Sequence, residues 1–234
     1  MVDRPGNVND VDYLTAEKRR IIDACPKCHG LDFNCTCYQE YDVEVRKVRA
    51  GIPLKFRKAS LAVITSAQSK GPKEQLQSYI NSMSKYRRKG VGLYLWGDEG
   101  TAKTYLGCAV LIEALRQGYS AYFTTLTDCV DKIINHREAF AYVLENSTYL
   151  MIDDMGFAYR PVRDQVAYVD AVLDKVVRER CNNLMPNILT SHKNLTELSL
   201  ANPSGARIAS IIKEHMKRIQ FTGPNFRDSI GSKL

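Results

Sequence analysis

The sequence lacks any apolar run long enough to cross a membrane. No stretch comes near the ~18 consecutive apolar residues that a membrane helix needs. The opening residues, MVDRPGNVND, lack the charged and then apolar pattern of a signal peptide. There is also no internal repeat and no low-complexity tract. These absences predict a cytoplasmic protein without a membrane partner.

The composition excludes a disordered chain. Apolar residues make up 44% of the 234 residues and charged residues 25%, which is enough to bury a core in one domain with a small appendage. The net charge of +7 is a modest basic excess. Such an excess is compatible with a polyanionic partner but does not require one.

Four of the seven cysteines are crowded into one short segment. A pair with two intervening residues is followed by a pair with one, among turn-forming residues, and this spacing predicts a tetrahedral Zn²⁺ site. Metal binding would supply much of the folding energy of so small a segment. The alternative is a set of unpaired reactive thiols. The predicted zinc ligands are Cys25, Cys28, Cys35 and Cys37.

From residue 90 onward, short apolar runs alternate with helical stretches. Runs that are apolar on both faces are typical of a buried parallel sheet, so the alternation predicts a doubly wound α/β fold. Strands are expected at 91–95, 121–124, 149–152, 187–190 and 218–221, and helices near 103–117, 127–145, 164–181 and 204–216. We predict an N-terminal zinc-binding module at 1–45, a basic linker and helical segment at 46–89, and an α/β domain at 90–234. The motifs described below assign partner docking to the first of these and ATPase activity to the last.

A phosphate-binding loop follows the first of these strands. The text GDEGTAKT fits the P-loop pattern, in which backbone N–H groups face phosphate oxygens, Lys103 neutralises the β- and γ-phosphates and Thr104 binds Mg²⁺. Ala102 replaces the usual glycine, and we expect it to begin the helical turn. The alternative is a strand–helix turn without a ligand. The predicted nucleotide-binding residues are Gly97, Asp98, Glu99, Gly100, Thr101, Ala102, Lys103, Thr104, Tyr105 and Asp153.

The third predicted strand ends in two acids, in the text YLMIDDMG. Ligands of α/β sheets bind at the carboxyl ends of the strands. Asp153 is therefore expected to hold Mg²⁺, and Asp154 to act as general base on the attacking water. Alone, two acids at a strand end would more simply cap a turn. Their position about 50 residues after the loop lysine favours the catalytic interpretation.

The fourth predicted strand ends NILTSH, where a polar side chain would sense the γ-phosphate. Thr190, Ser191 and His192 are the candidates, and we select His192 as the catalytic one. The alternative for His192 is a place in a surface turn.

Taken together, the motifs resemble the DnaC/DnaI-type replicative helicase loaders and the related IstB transposition ATPases. The resemblance rests on the cysteine cluster, AGIPLKFRKASL, LYLWGDEGTAKTYLGCAV, AYFTTLTDCVDKI, YLMIDDMG, RERCNNLMPNILTSHKNLTEL, ARIASIIKEHM and FTGPNFR. It implies a AAA+ core with sheet order 5-1-4-3-2 and no helical lid. It also implies an N-terminal module that grips a helicase.

Three positions depart from the family pattern. Besides Ala102, His192 stands where the family usually has asparagine, and Ile211 stands where it has an arginine finger. Because isoleucine cannot stabilise developing phosphoryl charge, either Arg207 or Arg218 substitutes or hydrolysis is weak. We expect slow ATPase activity, with Arg207 as the candidate finger.

The DNA-contact prediction combines charge with the resemblance. Elements that line the central DNA channel of related ATPases correspond here to the helix after the second strand and the segment after the third. Basic residues with aromatic neighbours there suit single-stranded DNA, although a solvated basic face is the alternative. The candidates are Lys132, Arg137, Arg160 and Arg163.

The sequence as a whole favours an ATP-dependent helicase loader. Its cofactors would be ATP, Mg²⁺ and Zn²⁺, and its partners a replicative helicase, single-stranded DNA and other copies of the same chain. Two alternatives remain. One is a transposition-helper ATPase of the IstB type, which usually lacks the cysteine module. The other is a degenerate, loader-like protein that binds and inhibits the helicase without hydrolysis.

Overall fold

A computed structural model describes residues 8–63, 70–155, 166–201 and 203–223. Five strands form one parallel sheet: β1 (Gly92–Gly97), β2 (Ala121–Thr125), β3 (Tyr149–Asp153), β4 (Asn187–Ser191) and β5 (Met216–Phe221). The strand order is β2-β3-β4-β1-β5, which confirms the predicted 5-1-4-3-2 arrangement. Each strand begins and ends within two residues of its predicted bounds.

Ten α-helices surround this sheet in the described part of the chain. They are α1 (Val8–Lys18), α2 (Thr36–Arg49), α3 (Lys70–Asn81), α4 (Met83–Arg88), α5 (Lys103–Arg116), α6 (Leu126–Asn135), α7 (Arg137–Asn146), α8 (Val166–Asn182), α9 (Leu195–Ala201) and α10 (Pro203–His215). The single helix expected at 127–145 is two helices that meet at His136. Among the helices of the described residues, none combines the length and apolarity needed to span a bilayer.

Strand residues alternate between two cores, because successive side chains of a strand point to opposite faces. Leu93 and Met151 pack on the face covered by α3 and α5, whereas Tyr94 and Leu150 pack on the face covered by α6 and by α8 to α10. On the first face α5 lies very close to the sheet. A Cβ at Gly107 would lie 2.6 Å from the Cε atom of Met151. This close contact fixes the helix that carries the phosphate loop.

The N-terminal residues pack against the first face through α2. Helix α2 packs on α5, and the turn that follows it covers the edge strand, where the N–H of Phe123 donates to the carbonyl of Ala50 at 2.8 Å. Two cations from the basic segment, Lys47 and Arg57, are buried rather than solvated. Helix α2 also runs without a break across residue 45, and the domain boundaries stay predictions.

Buried charges in this region are paired with one another. The ammonium of Lys47 pairs with Glu44 and donates to the carbonyl of Arg57 at 2.8 Å. The Arg57 guanidinium pairs with Asp10 in α1 and donates to the carbonyl of Ile52 at 3.1 Å. These bonds tie α1, α2 and the segment of residues 52–57 into one unit beside the sheet and α5.

Candidate nucleotide site

The loop between β1 and α5 turns sharply at glycines. Gly97 has a φ of 136°, and a Cβ there would lie 1.9 Å from the carbonyl oxygen of Phe221 in β5. Gly100 has a φ of 75°, in the left-handed region that favours glycine. The loop therefore leads the chain from the carboxyl end of β1 to the first turn of α5. The N–H groups of this first turn have no partner within the helix and can bind an anion.

Ala102 adopts the conformation of the glycine that it replaces. Its φ of 67° and ψ of 18° are left-handed, so the expectation that it begins the helical turn is wrong. The helix begins one residue later, at Lys103. An L-residue in this region carries strain of about 1–2 kcal/mol. The loop keeps the P-loop shape although Ala102 carries a methyl group. We attribute the strain at this position to that methyl group.

Lys103 lies over the loop that it follows. Its ammonium donates to the carbonyl oxygens of Gly97, at 2.8 Å, and of Asp98. Burial lowers the pKa of Lys103, and nearby carboxylates, Asp154 and Asp98 foremost, partly offset that shift. The ammonium of Lys103 is partly buried and bonded to loop carbonyls. It can replace these hydrogen bonds with stronger ones to phosphate oxygens.

Thr104 and Asp153 meet at the mouth of the loop. The Thr104 hydroxyl donates to Oδ1 of Asp153 at 3.0 Å, which brings together the two residues predicted to hold Mg²⁺. Asp153 is buried, and burial raises the pKa of its carboxyl group. Hydrogen bonds from Thr190 and Thr104 oppose this rise. A divalent cation would offset the burial of this carboxylate much further.

Asp154 turns away from the buried strand. Its φ of 60° is left-handed, and its side chain is exposed. The backbone N–H of Asp154 donates to the Thr190 hydroxyl at 3.0 Å, which holds the turn against β4. The exposed carboxylate therefore projects from a fixed backbone beside the phosphate loop, as a residue that orients water would need to.

Thr190 is the residue of β4 that touches the acidic pair. Its hydroxyl donates to Oδ1 of Asp153 at 2.5 Å, and its carbonyl accepts the N–H of Met155 at 2.8 Å. His192 is exposed and follows the strand. The Ser191 hydroxyl accepts the N–H of Lys193 at 3.0 Å. From the sequence we select His192 among the three candidates, whereas Thr190 is the candidate that contacts Asp153. The signal was that Thr190 is the first polar residue after Ile188 and Leu189, next to the carboxyl end of β4.

The candidate finger Arg207 is engaged on the outer side of α10. Its guanidinium pairs with Asp174 of α8 at 3.0 Å and donates to the Ser204 hydroxyl at 2.8 Å. Ile211 is buried in the core on the same helix. Arg218 is exposed on β5. Among the described residues of a single chain, Arg207, Ile211 and Arg218 make no contact with the P-loop.

Tyr105 links the P-loop helix to the N-terminal segment. Its hydroxyl accepts the N–H of Ser60 at 3.2 Å, and its ring lies edge-on to Phe56 at 6.5 Å between centroids. Both partners come from the AGIPLKFRKASL text. This link was not anticipated from the sequence, because no spacing pattern relates residues 45 positions apart.

The four clustered cysteines converge on one point. Their sulfur atoms all lie within 4.8 Å of one another, with 3.9 Å between Cys25 and Cys35 and 3.5 Å between Cys28 and Cys37. Tetrahedral zinc with Zn–S bonds of about 2.3 Å needs sulfur separations of about 3.8 Å. Backbone N–H groups of Lys27 and Cys28 lower the pKa of Cys25 to about 7. The four thiols therefore fit a zinc ion.

Only one DNA candidate has a described side chain. Lys132 donates to the Tyr122 hydroxyl at 3.2 Å and lies over the rings of Tyr122 and Phe140. Arg137 begins α7, but its side chain lies outside the described part of the chain. Arg160 and Arg163 also lie outside the described residues, as do residues 224–234, on which the predicted absence of a lid depends.

Comparison with the sequences of known proteins gives two findings. The family model described as IstB-like ATP binding protein matches residues 45–214. A replicative helicase loader, DnaI of Bacillus subtilis (strain 168), is 27% identical over 116 residues, which cover 47% of this chain and 36% of that protein.

Solved structures share the fold. The DnaC helicase loader matches with a TM-score of 0.62 and 20% identity over 73% of this chain and 100% of that one. The replication initiator DnaA, bound to AMPPCP and single-stranded DNA, matches with a TM-score of 0.58 and 16% identity over 76% of this chain and 54% of that one. At these identities the likeness is one of fold, and it agrees with the predicted AAA+ core.

Proposed function

The chain belongs to the IstB-like ATP-binding protein family, and from this premise we propose that it is an ATP-dependent helicase loader. In this role it binds single-stranded DNA and delivers a replicative helicase. The relative from Bacillus subtilis, whose name is that of a replicative helicase loader, supports this choice over other activities of the family. The matched segment spans about a third of that relative, so its activity enters here as a proposal.

The observation that carries the proposal is the contact between Thr104 and Asp153 at 3.0 Å. It joins the P-loop helix to the end of β3, where a bound Mg²⁺ would neutralise charge on the β- and γ-phosphates. Lys103 would then leave the carbonyls of Gly97 and Asp98 for the phosphates. Loop and first-turn N–H groups would bind the remaining oxygens.

ATP hydrolysis is proposed to be slow. Asp154 would accept a proton from the attacking water, and Thr190 would hold the acidic turn, with His192 exposed beside it. The finger position is Ile211, which is buried, and Arg207 is held by Asp174. Arg207 would have to break that ion pair to reach the nucleotide of a neighbouring copy. Since a finger contributes about a thousandfold or more in rate, ATP would act mainly as a switch for assembly.

The cysteine module is proposed to hold one zinc ion and to contact the helicase. The module has little core of its own, because among its described residues only Ile21, Ile22, Cys25 and Cys37 form a buried apolar cluster. Metal analysis of protein purified without chelator should therefore find one zinc per chain. Cys28→Ser combined with Cys37→Ser should lose the metal. Metal-free wild-type protein that is fully folded would refute the zinc assignment.

Co-purification with a hexameric replicative helicase tests the loader function. Tagged chain should capture the helicase, and capture should depend on the cysteine module. Loading onto closed circular single-stranded DNA should require ATP and should fail with Lys103→Ala. A matched control is Lys89→Ala, which removes an exposed lysine outside the loop. If the wild-type chain captures no helicase either with or without ATP, the loader proposal is wrong.

The second candidate is an ATP-binding inhibitor of the helicase, favoured by the burial of Ile211 and the strained Ala102. This candidate captures the helicase but turns over no ATP and blocks unwinding. Turnover stimulated by DNA and lost with Arg207→Ala would exclude it. Helicase capture without turnover or loading would support it over the loader.

A further inference from the structure

A groove at the opposite end of the sheet from the P-loop combines arginines with tyrosines. It is formed by the last turn of α2, the turn between α5 and β2, and the carboxyl-terminal half of α7. Its volume is about 450 Å³. The groove includes Ala121 and Tyr122 at the start of β2, and the remaining three residues of that strand, about 10 Å long, separate it from the carboxyl end of the sheet. The residues that the inference uses are Arg46, Arg49, Tyr119, Tyr122, Tyr142 and Asn146.

One of the two arginines in the groove carries a charge that the described residues do not neutralise. Arg49 is exposed, and no carboxylate of the described residues lies within ion-pair distance of it. Arg46 pairs with Asp42 at 2.6 Å and also donates to the carbonyl of Leu115 at 3.4 Å. No acidic residue is among the described residues that line the groove. A ligand with negative charge is therefore favoured.

The aromatic side chains add flat surfaces beside this charge. Tyr142 is 58% exposed, so its ring is accessible to a ligand. Tyr119 is half-buried and packs edge-on against Tyr149 at 5.7 Å between centroids, which fixes its ring. Asn146 is exposed at the end of α7, where its amide nitrogen donates to the carbonyl of Tyr142 at 2.8 Å and its side-chain oxygen lies at the rim. Bases stack on such rings, and phosphates pair with such arginines.

One residue that lines the groove contacts a residue already predicted to bind DNA. Tyr122 lines the groove, and its hydroxyl accepts a hydrogen bond from Lys132 at 3.2 Å. We infer that the groove binds a segment of single-stranded nucleic acid, with Arg49 on a phosphate and Tyr142 stacked on a base. This inference rests on the proposed function, because single-stranded DNA is the ligand in both.

Fluorescence anisotropy of labelled oligothymidylate with the full chain tests the groove. Tyr142→Ala should weaken binding about tenfold, whereas Tyr142→Phe, which keeps the ring, should bind like the wild type. Arg49→Ala should weaken binding and should reduce the log–log salt slope by about 0.7, the contribution of one phosphate contact. The matched control is Lys213→Ala, which removes an exposed cation from the last turn of α10 as Arg49→Ala does from α2.

The outcomes separate this inference from the proposed function. Unchanged affinity and salt slope in both groove variants, with a wild type that binds DNA, overturn the groove alone. A wild type that binds no DNA overturns both the groove and the DNA part of the proposed function. If the groove variants bind DNA normally but no longer capture a protein that the wild type captures, the groove is a protein-docking surface. That result also overturns the inference. Equal losses in Tyr142→Phe and Tyr142→Ala would exclude stacking.

Discussion

The two ends of the parallel sheet bury charge in opposite ways. At the carboxyl end, Asp153 is buried with a raised pKa, and Lys103 is partly buried with a lowered one. Two neighbours there, Ala102 and Asp154, have left-handed backbones. At the amino end, the buried Arg180 is surrounded by acceptors. The difference agrees with the proposal that the carboxyl end binds a nucleotide, whereas Arg180 at the amino end stabilises the fold.

Arg180 illustrates the satisfied end. Its guanidinium donates to Oδ1 of Asn187 at 2.8 Å, to the carbonyl of Thr148 at 3.2 Å and to that of Leu144. Burial lowers its pKa to about 10, so it stays charged at neutral pH. The bonds join α8, α7 and the starts of β3 and β4. Arg180 therefore holds these two helices and two strands in position relative to one another.

The largest expected effect comes from breaking these bonds. Arg180→Met leaves several buried carbonyl groups without donors, and we expect a loss of about 3 kcal/mol or more in the free energy of unfolding. Urea unfolding measures it. Arg178→Met on the same helix removes only an exposed ion pair with Asp174 and should cost less than about 1 kcal/mol. Equal losses in the two variants would show that Arg180 has no special structural role.

A smaller loss is expected at the nucleotide end from Thr190→Val. This change keeps the shape but removes the hydroxyl that donates to Asp153 and accepts from the N–H of Asp154. A buried carboxylate without that donor should destabilise the apo protein by about 1–3 kcal/mol. Thr190→Ser, which keeps the hydroxyl, should recover most of the loss in thermal unfolding. No recovery with serine would mean that methyl packing, and not the hydrogen bond, matters.

Asp153→Asn should have the opposite sign. Burial raises the pKa of Asp153 above its ordinary value of 3.8, so the ionised form opposes folding at neutral pH. We expect the variant to be more stable than the wild type by about 1 kcal/mol without ligand, as for other charges held for function. The gap should shrink as the pH falls through the raised pKa, because the wild-type folded state then gains its proton.

Urea unfolding at about pH 7.5 and about pH 4.5, without Mg²⁺ or nucleotide, checks this pH dependence. A variant that is less stable than the wild type at the higher pH would contradict the contrast between the two ends of the sheet. A gap that does not change with pH would mean that the carboxylate charge is not its source.

Ala102→Gly should produce the smallest effect. Glycine relieves the left-handed strain at this position, although it also loses more freedom on folding, so we expect a net gain of about 0.5–1 kcal/mol. Differential scanning calorimetry measures the gain, and Ala109→Gly in the middle of α5 is the matched control, which should destabilise. A loss of stability in Ala102→Gly would indicate that the backbone at this position is not strained.

The sequence predicts the parts of the molecule that local sequence patterns determine. Apolar runs locate all five strands, and the P-loop and acidic motifs identify Thr104 and Asp153, which meet at 3.0 Å. The sheet order comes from the family resemblance. Local patterns succeed here because strand, loop and helix of a P-loop are contiguous in the chain.

What the sequence did not predict depends on distant contacts. The basic text around Lys47 and Arg57 reads as a linker, yet Arg57 is buried against Asp10, which lies 47 positions away, and Lys47 donates to the carbonyl of Arg57. A charged residue far along the chain can hide a cation, and no periodicity reveals it. The conformation of Ala102 was also misjudged, because side-chain size says little about a backbone that the loop on both sides constrains.

Isothermal titration calorimetry with Mg·ATP tests the central claim most directly. The account predicts saturable binding of one nucleotide per chain by the wild type and a loss of at least about a hundredfold in affinity with Lys103→Ala, which should remain folded. Folded wild-type protein that gives no saturable heat, or a Lys103→Ala variant that binds as tightly as the wild type, would contradict it.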